Sequence, residues 1–242
     1  LTGSNVITLP DTVTELTNYA NQKCNGQDAV TLQTAFALSC NTAFVEMSEQ
    51  LGADELRKYA KAFGVGENYD LGVSTSAGTL GDLPDGAATA QSAIGQRDVT
   101  MTALQAAVMA GTVANKGTRM QPYLVNRITD AQMKDIRTTK PKKADQAVNE
   151  ETAATLTDLM YASERSSAGY DGNGFASKTG TAEHGEGLAP HVWYVAFDPE
   201  RDIAVGVVVK NGGNLGESAT GGKVSGPIGR AILRAYQGGS NE

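Results

Sequence analysis

Three short strand-like runs crowd the last third of the chain, at residues 175–182, 192–197 and 203–210. The turns between them are too short for the crossover that parallel neighbours need, which takes about a dozen residues or more. Runs joined this way predict an antiparallel meander. Strands and helices do not alternate along the chain, which excludes a doubly wound parallel sheet.

The residues before the meander read mostly as helix. The first 29 are polar and rich in Thr and Asn, with few periodic apolar positions. Thr31 then suits an N-cap, and Leu32, Ala35 and Phe36 follow at helical spacing. Ser39-Cys40-Asn41 breaks that run with three small residues, and Phe44, Met47 and Leu51 resume it. Leu56, Tyr59, Ala60 and Phe63 fit a third helix, closed by Gly64. Residues 64–90 are rich in Gly, hold Pro84 and read as a long loop. Met101, Leu104 and Val108 mark another helix.

Residues 123–129 and 133–138 predict a hairpin, and Lys134, Arg137, Lys140, Lys142 and Lys143 form a basic cluster around Pro141. That cluster reads as a solvated loop, with attraction to an anionic surface as the alternative. Residues 150–160 predict a helix with Glu150 and Glu151 at its positive end. The last helix carries Val224, Ile228, Ile232 and Tyr236 on one stripe. Together these elements predict an α+β fold, an antiparallel sheet flanked by helices plus a helical lobe. No linker long enough to separate two domains is visible, so residues 1–242 read as one domain.

Composition removes several functions. The 242 residues hold 20 Lys and Arg against 27 Asp and Glu, a formal net charge of −7. A nucleic-acid partner would want a basic footprint instead. The first residues carry no signal-peptide pattern, and the uncharged stretch 99–115 is too short and polar to span a membrane. His184 and His191 lack partners at zinc spacing, and the Gly-rich run 212–222 matches no phosphate loop, so neither metal nor cofactor is expected. Trp193 reads as core of the second strand, and Asp82, Asp85 and Asp98 as loop solvation. Cys24 and Cys40 are the only cysteines, and their spacing leaves a disulfide and two buried thiols equally open.

One tetrapeptide of the first meander strand carries chemistry. On an exposed edge, Lys178 offers a fixed positive charge, and Thr179 and Thr181 offer hydroxyls. Gly180 has no Cβ, so a ligand can lie against the backbone there. A carboxylate-bearing peptide could dock alongside, with the Thr181 N–H aimed at a developing oxyanion. An edge strand with a lysine that blocks aggregation would look similar. The Ser39-Cys40-Asn41 turn adds a hydroxyl that can relay a proton and an amide that can hold a carbonyl. Its bland alternative is that Ser39 ends one helix and Asn41 caps the next.

In order and spacing, Ser39-Cys40-Asn41 followed by Lys178-Thr179-Gly180 resembles the serine transpeptidases of the penicillin-binding protein and β-lactamase superfamily, which carry S-x-x-K, S-x-N and K-T-G. Ile94-Gly95-Gln96 with Val99-Thr100 and Leu104-Gln105, the extension Thr181-Ala182-Glu183, the Trp193 strand and Ala219-Thr220-Gly221-Gly222-Lys223 agree in the same order. The resemblance covers nearly the whole chain and points to class B penicillin-binding proteins of an actinobacterial kind. It implies a β-lactamase/transpeptidase-like fold that cross-links peptidoglycan at the extracytoplasmic face of the bacterial membrane. The implied partners are D-Ala-D-Ala stem peptides, β-lactam antibiotics, and proteins of cell-wall synthesis or division.

The same resemblance implies roles. Ser39 would relay a proton and Asn41 would anchor substrate and a lysine. Lys178 would polarise the site, and Thr179 and Thr181 would hold a carboxylate. Ser-Cys-Asn rather than Ser-Asp-Asn, and Thr181 after Lys-Thr-Gly, lean toward a transpeptidase over a D,D-carboxypeptidase or serine β-lactamase. No motif supports Glu67 as a deacylating acid. A non-catalytic binding or sensor domain is the reading from another class.

The nucleophile motif departs from the pattern. No Ser stands three residues before a Lys anywhere in the chain. Thr139-Lys140-Pro141-Lys142 and Thr220-Gly221-Gly222-Lys223 imitate it in the wrong places. The resemblance therefore implies that S-x-x-K lies upstream of Leu1, in a missing N-terminal segment, and that this chain alone is inactive. A pseudoenzyme is the alternative.

Overall fold

The structure, a computed structural model, describes residues 1–185 and 187–238. The N-terminal stretch without periodicity folds as a hairpin of β1 (Val6–Thr8) and β2 (Glu15–Thr17), followed by two single 3₁₀ turns. Leu9 between the strands is buried against Val45 and Ala90.

Thr31 does cap α1 (Leu32–Leu38), its hydroxyl accepting from the Thr34 N–H at 3.1 Å. The two helices expected after the Ser-x-Asn turn run as one element, α2 (Asn41–Ala62), broken at Gly52, whose φ of 77° suits glycine. The expected loop over residues 64–90 is too long. Its end is α3 (Gly86–Ala93), started by the Asp85 carboxylate, which accepts from the Ala88 N–H at 2.7 Å. Asp85 is thus a helix cap rather than loop solvation. Thr102 and Gln105 form a capping box at the start of α4 (Ala103–Ala114).

Beyond α4 come β3 (Thr118–Met120), β4 (Arg127–Thr129), β5 (Asp135–Thr138) and β6 (Lys143–Gln146). β4 pairs with β5 as the sequence predicts, over shorter strands, and β3 pairs with β6 across that hairpin. All five residues of the basic cluster are exposed, and Arg137 and Lys143 belong to β5 and β6. α5 (Glu150–Ser166) follows, capped by Asn149.

The meander is β7 (Ala176–Ala182), β8 (His191–Asp198) and β9 (Ile203–Val209), in spatial order 7-8-9 and antiparallel throughout. Its two faces are both covered, by period-two alternation. Ala176 and Phe197 pack with Ala110 and Val113 of α4 and Met160 of α5. Phe175, Tyr194, Ala196 and Val205 pack with Leu233 of α6 (Ser225–Gly238) on the other face.

α6 corrects the expected core stripe. Ile228 and Ile232 are exposed, and the helix instead buries Ser225, Gly226, Arg230 and Leu233. Small residues bring the helix close to the sheet: a Cβ on Gly229 would fall 2.2 Å from Cδ1 of Tyr194. On the opposite face a Cβ on Gly206 would fall 2.3 Å from the Ala103 carbonyl oxygen of α4. Gly206→Ala is therefore expected to cost about 1–3 kcal/mol by overpacking, read as a lower thermal midpoint. No helix among the described residues is long and apolar enough to cross a membrane.

Candidate active site

Ser39 ends α1 in the left-handed region, at φ 55° and ψ 49°, and Cys40 takes the N-cap position of α2. Asn41 is therefore not the cap but the first residue of α2, and its Nδ2 donates to the Thr17 carbonyl at 3.0 Å. A non-glycine residue in this backbone region is strained and needs its surroundings to hold it. Two devices do so here. The Cys40 N–H donates back to the Ala35 carbonyl at 2.9 Å. Cys40 is also joined to Cys24 in a disulfide with a Cα–Cα distance of 5.7 Å, both residues buried beside Val30, Ala35 and Ala43. The bridge ties the N-terminal segment to the turn that presents Ser39.

Among the described residues β7 is an edge strand, paired on one side only, to β8. Lys178 leaves it toward α1. Its ammonium donates to the Ser39 hydroxyl and, at 2.7 Å, to the Thr179 carbonyl. The Phe36 ring of α1 lies 5.9 Å from the same nitrogen. Burial brings the Lys178 ammonium down from 10.5 to about 8. It still carries its charge at neutral pH.

Thr179 is half-buried and Thr181 exposed. Gly180 lies in register with Trp193 of β8, and a Cβ there would come 3.3 Å from the Trp193 Cβ. The close approach at Gly180 in the free protein is thus to Trp193. That tryptophan is half-buried, not core, because its cross-strand partner has no side chain to cover it.

Lys178 and Ser39 are brought together across the chain, and Thr179, Gly180 and Thr181 continue along the same edge. His184 and His191 stack with ring centroids 4.1 Å apart, and the Asn211 N–H donates to His191 Nδ1 at 3.1 Å. Among the described residues no group of three His, Cys, Asp or Glu could hold a metal. Glu67 pairs with Arg119 at 3.7 Å. Sequence reasoning missed Phe36, although it precedes Ser39 by one helical turn. It also missed Glu164, buried in the last turn of α5. A carboxylate opposes the helix dipole there, which is itself a signal that a partner is needed.

A charged lysine on an open sheet edge is thus held by the serine of a helix–helix turn. Residues 3–234 match the penicillin binding protein transpeptidase domain model, and the chain belongs to that family. It is 44% identical over 236 residues to the peptidoglycan D,D-transpeptidase PbpA of Mycolicibacterium smegmatis, covering 94% of this chain and 48% of that protein. With the same-named protein of Mycobacterium tuberculosis H37Rv it shares 41% over 244 residues, covering 97% and 50%. The chain thus spans about half the length of these relatives. It superposes on penicillin-binding protein A from M. tuberculosis as the ceftriaxone acyl-enzyme with a TM-score of 0.92 and 41% identity, covering 97% of this chain and 55% of that one. For the penicillin G acyl-enzyme the TM-score is 0.91 at 41% identity, with 98% and 55% covered.

Proposed function

We propose that this chain builds the Ser-x-Asn and Lys-Thr-Gly walls of a peptidoglycan D,D-transpeptidase site. The acylated serine and its lysine come from the part of the protein outside these 242 residues. The observation that carries the reading is the Lys178–Ser39 contact, made between residues 139 apart on an edge strand and a helix–helix turn. A hydroxyl held by an ammonium is suited to relay a proton, since the charge steadies it while it passes the proton on. Ser39 has that role and Asn41 orients substrate from the same turn. Lys178 draws an anionic substrate end to the cleft, where the Thr179 and Thr181 hydroxyls receive its carboxylate. The free edge of β7 lets a stem peptide lie alongside as an added strand. The Thr181 N–H completes an oxyanion hole with a donor from the nucleophile segment.

The ligands are D-Ala-D-Ala stem peptides and the β-lactams that imitate them, as supported by the β-lactam acyl-enzymes of the similar M. tuberculosis protein. Such peptides lie outside the membrane, so the site works at the extracytoplasmic face. Residues 1–242 are then the C-terminal majority of one transpeptidase domain.

A labelled penicillin tests this. The full-length protein is expected to take covalent label on a serine of an S-x-x-K segment, located by peptide mass spectrometry, and the 242-residue chain to take none. Label on any residue within the chain, or none on the full-length protein, overturns the reading.

The pH dependence follows from Lys178. Its site favours the neutral form, so the charge is present below about pH 8 and is lost as pH rises through that value. The second-order acylation rate of the full-length protein is expected to fall on the alkaline side of about 8. A rate that stays flat from neutrality to well above that value would contradict a role for the charge.

A further inference from the structure

Directly behind Lys178 lies a buried polar cluster that the proposed chemistry does not use. Glu164 of α5 and Arg230 of α6 are 1% and 2% exposed, and Ser177 and Tyr194 are fully buried. Each oxygen of the Glu164 carboxylate accepts twice. Oε1 accepts from Arg230 Nε at 2.6 Å and Asn173 Nδ2 at 2.9 Å. Oε2 accepts from the Tyr194 hydroxyl at 3.0 Å and from the Ser177 hydroxyl. Arg230 is satisfied in turn by the Ala168 carbonyl and the Ser167 hydroxyl, each at 3.0 Å, and lies 5.5 Å from the Tyr194 ring centroid. Burial alone would push the Glu164 carboxyl up, but the hydrogen bonds from Arg230, Ser177 and Asn173 outweigh it and hold it below the usual range.

Two features make this more than a core ion pair. Replacing such a pair with apolar residues often leaves stability unchanged or raises it, so stability alone gives little reason to keep it. What a carboxylate offers is direction, and here one of its four bonds ends on the residue next to Lys178. Consecutive strand residues point to opposite faces. The Ser177 hydroxyl therefore goes back to Glu164 while the Lys178 ammonium goes forward to Ser39. β7 is also an edge strand, so among the described residues it has no second strand to hold its pleat on the cleft side.

We propose that Glu164, clamped by Arg230, is a positioning residue for Lys178: through Ser177 it pins the β7 backbone so that the ammonium stays on the Ser39 hydroxyl. The role rests on the transpeptidase reading only for its consequence in catalysis; the mechanical coupling stands by itself. Glu164 touches neither substrate nor reacting atoms.

Ser177→Ala in the full-length protein is the deciding variant, because it cuts the tie to β7 and leaves the Glu164–Arg230 pair in place. Competitive acetylation across alkaline pH, read by peptide mass spectrometry, gives the Lys178 titration midpoint without requiring activity. In the wild type it is expected near 8. In Ser177→Ala it is expected to rise by about one unit, as the released ammonium regains water. Penicillin acylation should slow about tenfold through misplacement of the reacting groups. Ser177→Thr, which keeps the hydroxyl, should restore both. A folded Ser177→Ala protein with an unchanged Lys178 midpoint overturns the proposal. If the wild type takes no penicillin, the transpeptidase reading fails, and the midpoint comparison still decides the clamp. Glu164→Gln should move the midpoint in the same direction, and if that variant does not fold, Ser177→Ala decides alone.

Discussion

Lys178→Ala in the full-length protein is expected to lower the second-order rate of acylation by a labelled penicillin by about 10²–10³-fold, as loss of one electrostatic donor does in a preorganised site. The size follows from where the ammonium sits. It is half-buried at the base of an open strand edge, touches the Ser39 hydroxyl, and is the charge that the proposed carboxylate would meet. In such a site a charge is screened less than on the surface, so its removal costs more. The variant should fold, because a neutral alanine removes a half-buried charge without leaving a buried partner charge behind. Lys178→Arg is not expected to rescue it, since a planar fork cannot occupy the point between Ser39 Oγ and the Thr179 carbonyl. A loss under about threefold would place the carboxylate elsewhere.

The second large effect is on stability. Removing the Cys24–Cys40 bridge, as Cys24→Ala with Cys40→Ala, is expected to cost about 3 kcal/mol, the magnitude for a closed loop of about 15 residues. At roughly 2–4 °C per kcal/mol for a chain of this size, the thermal midpoint should fall by about 6–12 °C. The acylation rate of the full-length variant should fall as well, because Cys40 adjoins Ser39 and the bridge helps to hold the left-handed turn. Calorimetry of the variant and of reduced wild type should agree. A midpoint that does not move would show that the turn is held by the Cys40–Ala35 hydrogen bond and local packing alone.

Particular residues show how far the sequence reached. The meander was legible because short strand-like runs and the short turns between them act within a few positions of one another. The cap at Thr31 was legible for the same reason. α3 was missed because Ala, Thr and Ser carry no apolar periodicity, although Asp85 stands at its start. The α6 stripe was misread because small residues, not large ones, let that helix approach the sheet. Arg230 goes inside because Glu164 is there to receive it.

The sequence by itself determined the three strands, the Ser-x-Asn turn, the Lys-Thr-Gly segment and the family to which they point. The strands and the turn are local patterns, set by backbone sterics and by the periods of strand and helix, and the family is a resemblance carried by the order of the motifs. Only the tertiary structure decided that Lys178 meets Ser39, that Cys24 meets Cys40, and that Glu164 stands behind Ser177. Such contacts depend on which faces pack together once long loops have closed, and no spacing along the chain encodes that.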